Sequence, residues 1–390
     1  MEENKNKILN VPTLRFAEFT EQWKQKTFDE TFSILSNNTL SRAELNYENG
    51  NYKNIHYGDV LIKFSAFIDV SSQDVPYIND ENSSSKLDNI LLQDGDIIIA
   101  DTAEDFTVGK AAEVENVDNI KVVSGLHTIP CRPKTKFSPR YLGYYVNSLA
   151  YHNQLIPFIQ GVKVSSISKN LIKKTFVSFP NLSEQEKIVK FLSYLDKKIE
   201  TQKKIISDLK VLKKELCRKI LSSIREYKTL GELCSITTGK LDANVNNPNG
   251  LYPFFTCGKE TLSIDNYAFD GEAILIAGNG DIGHIKYYYG KFNAYQRTYV
   301  LMGFKADAQF IKMGIDTYLP QKISEETQGG AMPYIKLSTL TSLKIPFTTE
   351  EKQLSIRKHY DTLAQKIENE TKILDLLLQQ KSYFLNAMFI

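Results

Sequence analysis

Thr27-Phe-Asp-Glu-Thr-Phe-Ser-Ile34 returns without a gap as Thr229-Leu-Gly-Glu-Leu-Cys-Ser-Ile236, with Thr27 on Thr229, Glu30 on Glu232 and Ile34 on Ile236. A repeat of this kind sets the fold before any single element does. Working outward, Gly95-Asp-Ile-Ile-Ile-Ala-Asp101 has a partner in Gly271-Glu-Ala-Ile-Leu-Ile-Ala-Gly278. Each reads as a buried strand opened by glycine and an acid. Gln160-Gly161 precedes Ile167, Leu171 and Phe179-Pro180, and Gln328-Gly329 likewise precedes Ile335, Leu340 and Ile345-Pro346. The chain is two copies of one unit.

Each copy runs into a long helix. Ser183-x-x-Glu186 follows Pro180 and Thr348-x-x-Glu351 follows Pro346, both with the spacing of a capping box. The first helix carries Ile188, Leu192, Leu195, Ile199, Gln202, Ile206 and Leu209, in alternating steps of four and three that make a heptad seam. The seam continues less regularly through Leu212, Leu216 and Ile220. The second carries Leu363, Ile367, Leu374 and Leu377, flanked by Ile373, Phe384 and Met388. No proline or glycine interrupts 183–224 or 348–390. Helices of about 40 residues span ~60 Å and expose their seams unless they pair.

The expected fold is therefore α+β: two mixed α/β lobes joined and separated by two long antiparallel coiled-coil helices, with a pseudo-two-fold internal duplication. The expected boundaries are 1–180 for the first lobe, 181–226 for its helix, 227–347 for the second lobe and 348–390 for its helix. Antiparallel pairing would put the lobes near opposite ends of a dumbbell, with the helices as a ruler. Strands are expected at Asp59–Phe64, Asp96–Ala100, Lys121–Val123, Ala273–Ala277, His284–Tyr289 and Thr298–Leu301. Ser138-Pro139 reads as the cap of a short helix over 139–150, with a counterpart near 307–319.

Composition excludes several classes of function. In 390 residues, 48 Lys and Arg stand against 46 Asp and Glu, a net charge of +2, so any nucleic-acid surface is a local patch. At 42% hydrophobic and 24% charged the chain is globular rather than disordered. No apolar run reaches the roughly 18 residues of a membrane span, and the N-terminus MEENKNKILN is polar, so a cytoplasmic protein without membrane contact is expected. Cys131, Cys217, Cys234 and Cys257 lack CxxC spacing, and the five histidines lack metal-site spacing.

Catalytic motifs are equally scarce. Gly278-Asn-Gly-Asp-Ile-Gly283 follows a strand, but a dinucleotide site needs a helix at the third glycine, and His284–Gly290 reads as strand and turn. Asp101, Glu104 and Asp105 cluster ahead of Lys110 without an acid-x-Lys step and without an equivalent in the second copy. His127 aligns with Arg297 and reads as a structural histidine. The remaining chemistry suits binding. Lys286-Tyr-Tyr-Tyr-Gly-Lys291-Phe-Asn-Ala-Tyr-Gln296-Arg297 interleaves cations, aromatics and amides, and the first copy offers Lys53-Asn54 and Gln160-Gly-Val-Lys163-Val-Ser165-Ser166. Arg and Lys pair with guanine edges or phosphates, and Gln or Asn with adenine. Residues 183–228 hold 13 Lys and Arg against 7 Asp and Glu, a locally basic helix.

This order of parts resembles the specificity subunits of type I restriction-modification enzymes. The likeness lies in Lys228-Thr-Leu-Gly-Glu-Leu-Cys-Ser-Ile-Thr-Thr-Gly-Lys240, in 271–283, in Asn181-Leu-Ser-Glu-Gln-Glu-Lys-Ile188 and in Pro346-Phe-Thr-Thr-Glu-Glu-Lys-Gln-Leu354. The lead-in Val11-Pro-Thr-Leu-Arg-Phe16 with Trp23, and Asn54-Ile-His-Tyr-Gly-Asp59, extend it over 10–390. The resemblance implies that each lobe is a target recognition domain reading one half of a bipartite, asymmetric double-stranded DNA site. The helices would set the spacer, at most ~17 base pairs between half-site centres, and dock two modification (methyltransferase) subunits and the restriction subunits. No cofactor would bind this chain; S-adenosylmethionine, ATP and Mg would sit on the partners, and the chain would be no enzyme. The DNA contacts expected from loop chemistry are Lys53, Lys163, Ser165, Lys240, Lys286, Lys291, Gln296 and Arg297. The alternative is a non-enzymatic coiled-coil scaffold with two binding lobes.

Overall fold

The computed structural model describes residues 10–79, 85–105, 107–161, 164–326 and 334–390. Two compact units emerge: one reaches to Thr201 and includes Leu374–Ile390, the other is Gln202–Ile373. The Gln328-Gly329 half of the repeat lies outside the described residues.

The two units share one scaffold, an α+β fold used twice. In the first, the main sheet runs Phe32–Ile34, Thr128–Pro133, Ile97–Ala100, Ala111–Glu115, Phe67–Asp69. In the second it runs Ser235–Thr238, Thr298–Met302, Phe269–Ala277, Ile285–Ala294, Tyr252–Phe255, with Thr261–Ile264 added at the edge. The first four strands pair antiparallel in both, and the fifth joins parallel in both. The repeated opening motif behaves alike as well: Thr27 with Glu30, and Thr229 with Glu232, each close a capping box on a one-turn helix. The strand before each pairs with the strand that leads to the long helix, Lys24–Thr27 on Phe176–Phe179 and Glu226–Thr229 on Lys344–Phe347. The first unit adds a four-stranded sheet, built from Val122–Ser124, Lys53–Ile55, Tyr77–Ile78 and Leu45–Asn46, that has no counterpart among the described residues of the second.

The long helices are Leu182–Ser222 and Glu350–Ala387. Within the first unit Ile188, Leu192 and Leu195 are buried in one core with Met388 and Phe389, and Ile199 is buried a turn further on. Phe191 meets Phe384 edge-on at 4.8 Å, and Lys381 pairs with Asp196 at 2.5 Å. Within the second unit Ile206 is buried, Gln202 donates to the carbonyl and carboxylate of Glu370, and Lys213 sits 3.8 Å over the Tyr360 ring. Within each unit, partners on the second helix fall in number as those on the first rise, so the paired helix segments of each unit run antiparallel. Leu209, Leu363, Ile367, Leu374 and Leu377 are half-buried along the seam.

Four local expectations need correction. Beyond Leu209 the seam passes to Lys213, Cys217 and Leu221, leaving Leu212 and Leu216 exposed, because Tyr360 and the Ala308–Glu326 helix offer their contacts to that face. Asn181, not Ser183, caps the first long helix, accepting from Glu184 N and Ser183 Oγ. The stretch expected as strand Asp59–Phe64 is the helix Tyr57–Ile62, capped by His56 Nδ1 accepting from Gly58 N. The expected 139–150 helix is two short ones, Tyr141–Val146 and Leu149–Leu155.

The first of these short helices is capped from a strand. Arg140 precedes it at φ 70°, and the carboxylate of Glu113 accepts from Arg140 N at 2.6 Å and Gly143 N at 2.9 Å. Burial pushes the Glu113 carboxyl up to about 7, against the opposing pull of those two N–H groups. A native pKa above the unfolded one means that the folded state holds the proton more tightly. Its stabilising contribution is therefore complete below the unfolded value of about 4.3 and is lost as pH rises through about 7. Glu113→Gln is expected to gain stability relative to wild type between pH 5 and pH 8, read as a widening difference in Tm. A difference that holds constant, or moves the other way, contradicts this assignment.

Candidate nucleic-acid interface

In the second unit three chain turns converge where the first three strands of the sheet end. Thr238 faces Tyr299 and Ala277 faces Thr298 in register, so the turns after Thr238, after Ala277 and before Thr298 meet. The backbone of 295–298 is pinned: Tyr295 N donates to Phe255 O, Gln296 N to Leu241 O, Thr298 N to Tyr295 O, and Gly278 N to Arg297 O. Gly278 is needed for this approach, because a Cβ there would lie 2.6 Å from the Arg297 carbonyl. The segment 334–337 closes the other side, with Ile335 N donating to Gly278 O and Tyr299 Oη to Ile335 O.

The result is a concavity of about 580 Å³ whose rim carries Asn279, Gln296, Arg297, Tyr334 and Lys336. None of its lining residues is acidic. Arg297 and Gln296 are exposed, and among the described residues their side chains have no polar partner, although their backbone is held on both sides. Lys240 is exposed just past the adjoining strand. Fixed backbone with free cationic and amide heads is what recognition of phosphates and base edges requires. Preorganisation of this kind lowers the ordering cost of binding.

The first unit builds the same corner with different side chains. Ala100 faces Thr128 as Ala277 faces Thr298, and Ile167 N donates to Asp101 O as Ile335 N does to Gly278 O. His127 thus stands where Arg297 stands, and Asp101 where Gly278 stands. His127 Nδ1 lies 3.3 Å from Asp101 Oδ1, and Thr102 Oγ1 touches both groups. Ser165, half-buried, pairs with Ala103 beside this corner. One copy carries an unopposed cation; the other carries a carboxylate beside an imidazole.

The remaining expected contacts fall elsewhere. Lys53 is buried at 8% exposure, its Nζ donating to Val70 O at 2.7 Å, and burial lowers its pKa. Lys286 is half-buried, donating to Glu260 O and Thr261 Oγ1 over the Phe255 ring. Lys291 is exposed on the strand opposite Asp270, and its contact with Tyr267 raises its pKa. Lys163 lies outside the described residues. Asn279, Tyr334 and Lys336 were not legible as lining residues, since bonds among Gly278, Arg297, Tyr299 and Ile335, far apart in sequence, bring them together.

The segment 285–294 after the glycine-rich loop is strand, which denies a pyrophosphate the helix N-terminus it needs. Among the described residues no group of three or more His, Cys, Asp or Glu could hold a metal ion, and no helix is long and apolar enough to cross a membrane.

The comparisons with known proteins agree with one another. The family model for the type I restriction modification DNA specificity domain matches residues 20–211 and again 225–379. The type I restriction enzyme EcoDI specificity subunit of Escherichia coli is 38% identical over 165 residues, covering 42% of this chain and 37% of that protein. The MjaVIII specificity subunit of Methanocaldococcus jannaschii is 24% identical over 274 residues, 59% of this chain and 64% of the other. The matches thus span about a third to two thirds of these relatives' lengths. Two solved structures share the fold over nearly the whole chain. The type I restriction-modification S subunit from M. genitalium has a TM-score of 0.55 at 18% identity, covering 97% of this chain and 99% of that one. A chain from work on complex assembly and conformational transition of the type I system has a TM-score of 0.59 at 16% identity, covering 95% and 98%. With both of its copies matched by one domain model, the chain belongs to the type I restriction modification DNA specificity family.

Proposed function

We propose that this chain is the DNA-reading specificity subunit of a type I restriction-modification system, with lobes at 1–180 and 227–347 each reading one half of a bipartite site. The observation that carries the reading is the duplicated corner, with one backbone frame and two different sets of side chains. Such a pair fits an asymmetric target, because Arg297 with Gln296 and Asp101 with His127 select different base edges. The chain performs no catalytic step on this reading. S-adenosylmethionine, ATP and Mg belong to modification and restriction subunits.

Exposed apolar residues along the paired helices support the docking of two modification subunits. Leu376 and Tyr383, seven residues apart on one helix, are 64% and 61% exposed, and Val211, Leu212 and Leu354 are exposed as well. Large apolar side chains left in water on an already paired helix suit a protein interface.

The test is DNA retention by the chain co-purified with its modification subunit, across a salt series. Phosphate contacts release counterions, so log K should fall linearly with log salt, with a slope of about −0.9 per phosphate neutralised. Retention of no DNA at low salt contradicts the reading and leaves a protein scaffold in its place.

A further inference from the structure

One buried amide is repeated in the two units, in the same position and with the same pair of bonds. Gln185, in the first turn of the first long helix, is 2% exposed. Its Oε1 accepts from Ser138 N at 2.9 Å and its Nε2 donates to Pro180 O at 2.9 Å. Gln353, in the first turn of the second long helix, is also 2% exposed. Its Oε1 accepts from Asp307 N at 3.1 Å and its Nε2 donates to Thr348 O at 2.6 Å. Ser138 and Asp307 each lead into a helix that packs on the lobe's sheet, whereas Pro180 and Thr348 each follow the strand that joins lobe to long helix. One side chain thus fastens both parts of the lobe to the root of its helix. In the second unit Asp307 also caps its helix by accepting from Phe310 N, and Arg357 pairs with its other oxygen at 2.7 Å.

We propose that Gln185 and Gln353 are positioning residues that fix the angle between each recognition lobe and its spacer helix, and so hold the DNA gap to one length. The inference rests on the bipartite reading above. A lobe of 100 to 150 residues has a radius of gyration of about 13–15 Å. Its far face therefore lies about 35 Å from its root, and a tilt of roughly 5–6° there moves that face by one base step of about 3.4 Å. A single-gap specificity needs the root held more tightly than that. A buried amide with both ends bonded resists such a tilt, because stretching either bond weakens an interaction that water cannot replace.

The test replaces Gln353 by Leu, which keeps the volume and removes both bonds, in the full complex with the modification subunit. Methylated motifs are then mapped genome-wide. The expected result is unchanged half-sites with methylation spreading to gaps one base pair shorter and longer, at least tenfold above wild type. Gln185→Leu should do the same through the other lobe, and the double variant should spread further. A variant that assembles but keeps the single gap, or loses methylation uniformly at all sites, overturns the proposal. So does failure of both single variants to assemble, which would make the glutamines determinants of folding. If the wild-type complex itself shows no two-part motif, the bipartite reading fails instead.

Discussion

Trp23→Ala is expected to destabilise the first unit by about 3–5 kcal/mol, the usual cost of emptying a buried aromatic site. Trp23 is 3% exposed and joins three separate stretches of chain. Its ring meets Tyr141 of a short lobe helix at 6.5 Å and Phe389 of the C-terminal segment at 6.4 Å. Its Nε1 donates to Glu184 Oε1 at 3.3 Å. Glu184, at 1% exposure, takes its other donors from Arg15 at 2.7 Å, so losing the indole also leaves a buried carboxylate with one bond fewer. Nearby, Leu14 N donates to Ala387 O, which ties the lead-in to the end of the second long helix. At roughly 2–4 °C per kcal/mol for a unit of this size, the first unit's transition should fall by about 10 °C. Calorimetry with hydrogen exchange resolved by segment checks this. A loss under about 1 kcal/mol, or one spread evenly over Gln202–Ile373 as well, contradicts it.

The second large effect falls on recognition. Arg297→Ala should erase discrimination at one base position in one half-site, at about 1–3 kcal/mol or roughly 5- to 150-fold. The turn that holds Arg297 is fixed by backbone bonds, so the substitution removes the guanidinium and leaves the corner in place. Arg297→Lys separates charge from shape: it keeps a phosphate partner and loses the planar fork that pairs with guanine. Competition between duplexes carrying single-base changes in each half-site reads the effect. The other half-site should not respond. An equal loss on every duplex, with a shallower salt slope, would make Arg297 a backbone contact and not a base reader.

Much of this architecture was legible in the sequence because it is written in periodicity. The duplication follows from the repeated stretches, and the strand Ile97–Ala100, the core Ala273–Ala277 of a longer strand and the paired helices follow from their apolar patterns. Reading failed where geometry turns on a single unusual cap. Tyr57–Ile62 looks like a strand until His56 is seen to cap it, and the helix at Tyr141 opens from Glu113, a residue far away in sequence. The candidate interface was half legible. Gln296 and Arg297 announce themselves as free polar heads among aromatics, while Lys53 and Lys286 carry the same chemistry and spend it on carbonyl groups. Nothing in the spacing of Gln185 and Gln353 shows that both ends of each amide are taken up.

The central claim is that two lobes on paired helices read two different half-sites at a fixed separation. Methylome sequencing of cells expressing the chain with its modification subunit tests it most directly. The predicted result is methyladenine at one asymmetric, two-part motif with a single gap length. Methylation at a continuous or palindromic motif, or a modification subunit that neither binds this chain nor methylates with it, would contradict the claim.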